Sequence, residues 1–187
     1  MTDAAEELQP LPDLLKPGLQ IVFVGINPGV LSAQLGRYFA HPNNRFWPAA
    51  NAAGVFEPPP GPETGHEALD QGIGFTDIVK RPTANASQIR VREFRDGAPA
   101  LKSKLLDAAP WLVCFNGMTA YRNFLRHAEG VTEQPELGLQ PRRIGDAEAF
   151  VVPSPSPANA RYSLEDLTCY YQRLRERREE MARGRVR

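Results

Sequence analysis

The chain reads as an α/β protein of three layers, with a central, mostly parallel sheet between helices. Ile21-Val22-Phe23-Val24 is four apolar residues in a row, the pattern of a strand covered on both faces. Trp111 to Phe115 is a second such run. Segments with helical spacing, among them Ala98 to Ala109 and Gly117 to His127, lie between the apolar runs. Strands that alternate with helices make a parallel sheet with helical crossovers.

The elements follow in order. Met1 to Pro17 is an acidic, proline-marked extension that holds at most a short helix. Leu19 to Gly25 is the first strand, broken by Gly25 and by Pro28-Gly29. Val30 to Phe39 begins as a helix or turn. His41 to Pro48 is a loop, with a helix from Phe46 to about Ala53. Glu57-Pro58-Pro59-Pro60-Gly61-Pro62 excludes regular structure and reads as a surface loop. Glu67 to Gln71 suits a helical turn and Gly74 to Val79 a short strand. Arg81-Pro82-Thr83 ends that strand and opens a polar loop to about Gln88. Glu93 begins a basic turn, and Ala98 to Ala109 is an amphipathic helix. After the strand Trp111 to Phe115, Gly117 to His127 is a helix with Tyr121, Phe124 and Leu125 on its apolar side. Arg142 to Ile144 and Ala149 to Val152 are the remaining strands. Pro153 to Arg161 is a loop, and Ser163-Leu164-Glu165-Asp166 is a capping pattern that starts the last helix.

At 187 residues the chain fits one domain over residues 1–187, with a basic C-terminal helix from about Ser163. Basic and acidic residues number 22 each, which argues against a purely electrostatic nucleic-acid binder. The charge is nevertheless uneven. Asp3, Glu6, Glu7 and Asp13 lie at the start, while Arg173, Arg175, Arg177, Arg178, Arg183, Arg185 and Arg187 face Glu176, Glu179 and Glu180 at the end. That basic end reads either as a surface for phosphates or as a solvated, partly frayed helix. Cys114 and Cys169 make no disulfide framework, and His41, His66 and His127 lack ligand spacing, so neither a metal nor another cofactor is expected. With no signal peptide or spanning segment in view, the expected location is the cytoplasm.

Asn27 stands at the C-terminal end of the first strand, where open α/β sheets bind ligands. Neither a Walker loop nor a dinucleotide-binding fingerprint can be written over Gly25 to Gly29. A strand-to-helix turn capped by Asn27 is the plain alternative. Three further loops follow strands: Thr76 to Thr83, Asn116-Gly117, and Pro153 to Arg161. The last is stiff and rich in small residues, suited to close approach to a phosphate backbone.

Gly25-Ile26-Asn27-Pro28-Gly29 resembles the first motif of the mismatch-specific uracil-DNA and thymine-DNA glycosylases. The resemblance continues through Phe39-Ala40-His41-Pro42-Asn43-Asn44-Arg45-Phe46-Trp47 and Gly72-Ile73-Gly74-Phe75-Thr76-Asp77-Ile78-Val79. It extends over Arg81-Pro82-Thr83, Phe115-Asn116-Gly117 and Gly138-Leu139-Gln140-Pro141, and the loop from Pro153 is similar to the second motif. It implies a uracil-DNA glycosylase fold and hydrolysis of the N-glycosidic bond of uracil or thymine mispaired with guanine, by base flipping, in the first step of base excision repair. The implied partner is double-stranded DNA with G·U or related mispairs, met by a monomer with no membrane association.

The resemblance also distributes roles. Asn27 matches the asparagine that positions the attacking water. Gly25, Ile26, Pro28, Phe39 and Asn116 fall around the base pocket, with Phe39 as the ring on which the base stacks; ordinary core packing is the alternative for Phe39. Ser154, Ser156, Ala158, Asn159 and Arg161 fall on the DNA-binding loop. The wedge position, usually Leu or Arg, falls on Ala158, too small to fill the gap left by a base, which leaves Asn159 or Arg161 for that task. Pro157 replaces a smaller residue. Asp77 stands where relatives carry a different polar residue. A carboxylate there suits a general base sharing the hydrolytic role with Asn27. Its alternative is a cap or an ion pair with Lys80 or Arg81. A non-catalytic binder of damaged DNA and an α/β enzyme acting on a free nucleotide remain the other two readings of the chain.

Overall fold

Five strands form one sheet in the order β2-β1-β3-β5-β4. A computed structural model describes residues 8–185. The strands are β1 (Ile21–Gly25), β2 (Ile73–Asp77), β3 (Leu112–Asn116), β4 (Gly138–Ile144) and β5 (Ala147–Val152). The first three and β5 run parallel; β4 is antiparallel to β5 and closes one edge. The helices are α1 (Val30–Leu35), α2 (Phe46–Ala52), α3 (Val91–Ala108), α4 (Met118–Phe124, continued by a π turn Leu125–Glu129) and α5 (Leu164–Arg185). Short 3₁₀ segments cover Pro62–Leu69 and Ala86–Gln88.

Alternation along the strands sorts the core into two layers. Ile21, Phe23, Phe75, Cys114 and Phe150 face α2 and α5, where Phe46, Trp47, Phe56 and Tyr171 complete an aromatic cluster. Val22, Val24, Val113, Phe115 and Val151 face α3 and α4, against Leu101, Leu105, Tyr121 and Phe124. Phe23 sits at the centre of the first layer, edge-on to Phe46 at 5.0 Å and to Tyr171 at 6.0 Å. With both faces covered, continuous apolar runs are what a mostly parallel sheet requires.

Several expectations change. No helix forms over residues 8–17; instead Leu14 pairs antiparallel with Phe75, covering the β2 edge. Asp3, Glu6, Glu7 and Arg187 lie outside the described residues. The turn expected at Glu93 and the helix expected from Ala98 are a single helix, α3, that runs through Pro99. β4 begins four residues earlier than Arg142 and carries Pro141 on an edge strand with a register shift, a place where proline is tolerated.

The C-terminal helix is not frayed over the described residues. It is continuous to Arg185, and several of its arginines are engaged: Arg177 pairs with Glu148 and Glu180, Arg178 donates to the Val55 carbonyl at 2.9 Å, and Arg185 stacks over Trp111 at 4.6 Å. No helix among the described residues is long and apolar enough to cross a membrane.

Candidate active site

Because β1, β2, β3 and β5 are parallel, their C-terminal ends share one side of the sheet. The turn after β1 is stitched to the segment after β2. The carbonyls of Gly25, Ile26 and Pro28 accept from Ile78, Val79 and Thr83 at 3.1, 2.9 and 3.1 Å. Asn27 completes the seam with its side chain. Its Nδ2 donates to the Thr83 hydroxyl at 2.8 Å, the Arg81 carbonyl at 2.9 Å and the Pro28 carbonyl at 3.1 Å. Two of those partners are carbonyls, which only accept, so the amide nitrogen must face them. Oδ1 is therefore turned the other way and accepts no hydrogen bond from a described residue. The capping alternative is not realised: the residue before α1 is Gly29, without a side-chain cap.

Arg81 is itself braced. Its guanidinium grips Glu93 of α3 at 2.7 and 2.9 Å and donates to the Gln88 carbonyl at 3.0 Å. Those hydrogen bonds, above all, hold the Glu93 carboxyl down at about 2. The first turn of α3 thus fixes the carbonyl that fixes Asn27.

Asp77 ends β2 in register with Gly25. It is 5% exposed, and its Oδ1 lies so close over Gly25 that a Cβ there would meet it at 2.3 Å. Its Oδ2 is buried without a hydrogen-bond partner among the described residues. Burial pushes the carboxyl up to about 7; Lys80 opposes the rise and Asp13 adds to it. The ion-pair alternative fails, because Lys80 pairs with Asp13 and Arg81 with Glu93. Asp13 also accepts from Thr76 at 2.6 Å and from Lys104 at 2.6 Å, pinning the N-terminal segment beside the site.

Phe39 has a left-handed backbone, φ 54°, uncommon for a residue with a side chain. The conformation is held from both sides. The Tyr38 carbonyl accepts from the Trp47 indole at 3.0 Å, and the Ala40 N–H donates to Ser32 at 3.1 Å. The Phe39 ring stacks on Phe46 at 4.0 Å and meets Trp47 and Phe75 edge-on, yet remains only half-buried. It is both part of the core margin and a ring with surface to offer. Strain fixed this firmly is characteristic of functional positions.

Asn116 lies deeper. It is 4% exposed, its Oδ1 accepts from the Tyr171 hydroxyl at 2.9 Å, and its Nδ2 is buried without a partner among the described residues. Gly117, with φ 111°, lets β3 end tightly against the following loop, where a Cβ would meet Ser154 at 3.2 Å.

The loop from Pro153 uses its polar side chains on itself. Ser154 accepts from the Ser156 N–H and Ser156 from the Ala158 N–H, both at 3.3 Å, while Asn159 Nδ2 donates to the Ser154 carbonyl at 3.0 Å. Pro157, Ala158, Ala160 and Arg161 are exposed, and the Arg161 guanidinium lies over Tyr162 at 5.5 Å. Asn159 is thus committed within the loop, and Arg161 is the long side chain left beside Ala158. Sequence reasoning missed Thr83 as an acceptor for Asn27, Glu93 as its brace, and Arg45, whose guanidinium reaches the loop carbonyls of Ser156 and Asn159. No spacing links these residues; only the folded chain does.

Residues 12–176 match the family model of the Uracil DNA glycosylase superfamily. Among solved structures, the chain is similar to the solution NMR structure of a candidate uracil DNA glycosylase from Methanosarcina acetivorans. The two share 26% identity, cover 90% of this chain and 98% of that one, and superpose with a TM-score of 0.58.

Proposed function

The chain belongs to the uracil DNA glycosylase superfamily, and on that premise we propose that it hydrolyses the N-glycosidic bond of uracil mispaired with guanine in double-stranded DNA, leaving an abasic site. Thymine or another damaged base in the same mispair is the related substrate. The observation that carries the proposal is Asn27, clamped through its nitrogen at the strand ends, with its oxygen accepting from no described residue.

The target base must leave the duplex before it can be reached, at a cost of a few kcal/mol that is least at a mismatch. The half-buried Phe39 ring supports stacking of the flipped base, worth roughly 1–3 kcal/mol. Asn27 Oδ1 accepts a hydrogen bond from the water and aims its oxygen at C1′ of the sugar. An amide cannot take the water's proton, so positioning and electrostatics supply most of the acceleration. Asp77 is the proposed base. As the C1′–O bond forms and the C1′–N bond breaks, the departing base keeps the electron pair and the water's proton passes to the Asp77 carboxylate. That carboxylate also stabilises the oxocarbenium-like sugar. A carboxyl held at about 7 is well matched to this task near neutral pH.

Single-turnover excision from a labelled duplex with one G·U pair, followed by alkali, tests the reading. Strand cleavage is the expected result. Tight duplex binding without base release would indicate a non-catalytic binder, and cleavage of a free nucleoside alone would indicate a nucleotide enzyme. In Asp77→Asn the rate is expected to fall at least tenfold and the acidic limb of the pH profile to vanish, with G·U binding retained. An unchanged rate and profile would leave Asn27 working alone.

A further inference from the structure

Arg45 precedes α2 and has no part in the chemistry above, yet it gathers four carbonyls of the 153–162 loop. Its main-chain N–H donates to Pro155 at 3.1 Å. One guanidinium nitrogen donates to Asn159 at 2.6 Å and to Ser156 at 3.1 Å, and the other donates to Tyr162. The next residue, Phe46, is the ring that backs Phe39. Arg45 and Phe46, adjacent in the chain, therefore set the shape of the loop and the seat of the stacking ring together.

The charge of this side chain is not balanced. Arg45 forms no ion pair among the described residues, and its Nε is buried without a partner. Carbonyl oxygens satisfy its donors but bring no net charge, so a full positive charge remains beneath the loop. A planar fork suits several carbonyls at once, which a lysine ammonium does not reproduce.

We propose that Arg45 is the positioning residue of the 153–162 loop, and that the counterion for its unneutralised charge is a backbone phosphate of bound DNA. The second half rests on the DNA reading given above; the first half does not. Charge and shape then have separate signatures. Arg45→Lys keeps the charge and loses the fork, whereas Arg45→Gln loses both.

Two measurements on the full chain decide it. Hydrogen exchange over residues 153–162, the Asn159 amide above all, reads the clamp without reference to activity. Titration with a duplex carrying an abasic-site analogue at increasing salt reads the charge. Exchange in the loop is expected to quicken at least tenfold in both variants. The salt slope is expected to fall by about 1 in Arg45→Gln alone and to be kept in Arg45→Lys. Should Arg45→Gln fold poorly, Arg45→Met carries the same arm. Unchanged loop exchange in both variants would overturn the clamp, and an unchanged slope in the neutral variant would overturn the phosphate. Absence of duplex binding by the wild type would overturn the DNA reading and the phosphate together, while the exchange arm would still decide the clamp.

Discussion

Asn27 is an uncharged residue at the focus of the proposed hydrolytic site, and in that proposal its value lies in being held. Three acceptors fix its nitrogen, so no reorganisation is needed to present its oxygen. Replacing it with alanine is expected to lower single-turnover excision by about 10²-fold or more, with duplex affinity nearly unchanged and the melting temperature lowered by a few degrees for the lost hydrogen bonds. Asp77 carries a different signature. Its carboxyl is raised to about 7 in the folded chain by burial, above the ordinary carboxylate value. The stability this contributes is full below about pH 4 and is lost as pH rises through 7, to a total of about 4 kcal/mol at 1.36 kcal/mol per unit. Asp77→Asn is therefore expected to melt higher than wild type at pH 8 and level with it near pH 4, in thermal scans across that range. A variant that melts lower at pH 8 would mean that the buried carboxylate is compensated. The motif singled out Asn27 and the strand end singled out Asp77 as candidates, but neither showed what holds them. Thr83, Arg81 and Glu93 reach Asn27 through seams that exist only after β1 and β2 pair, and no periodicity encodes that contact.

Among the elements, the buried strands β1 and β3 were legible because a strand covered on both faces must be apolar throughout. α3 was only half legible. The helix read from Ala98 to Ala109 already spanned Pro99, but the stretch from Val91 through Gly97 was read apart from it, and the two are one helix. Gly97 is there because α3 crosses the end of β2 at close range: a Cβ on it would meet the Ile78 carbonyl oxygen at 2.2 Å. Two effects compete in Gly97→Ala. Alanine gains about 1 kcal/mol of helix propensity. Pushing α3 off a backbone carbonyl costs about 1–3 kcal/mol or more. The clash is expected to win, lowering the melting temperature by roughly 2–6 °C. Gly184→Ala on α5, where a Cβ meets nothing within 4 Å, is the control, expected to be neutral or slightly stabilising. Only the last three residues of β4, Arg142 to Ile144, were legible, because Pro141 interrupts the strand, and an edge strand is where a sheet tolerates that interruption.

At the scale of the whole molecule, a balanced formal charge conceals how the arginines are spent. The C-terminal run is the most basic stretch of the sequence, but α5 descends from the loop end of β5 and carries Arg183 roughly 29 Å away at 1.5 Å per residue. Arg185, beside it, stacks on Trp111 at the start of β3, the opposite end of the sheet from Asn27. Arg161 is exposed on the loop after β5, at the same end of the sheet as Asn27. Arg161→Ala is expected to weaken duplex binding and lower the salt slope by about 1, with Arg183→Ala near wild type. Equal losses would contradict the loop-centred account. Single-turnover excision from one G·U duplex by wild type and Asn27→Ala, with binding measured on the same duplex, decides whether Asn27 directs base hydrolysis. The expected result is an alkali-labile abasic site from the wild type, and a variant that binds but scarcely cuts. No base release by the wild type, or near-wild-type excision by Asn27→Ala, would contradict it.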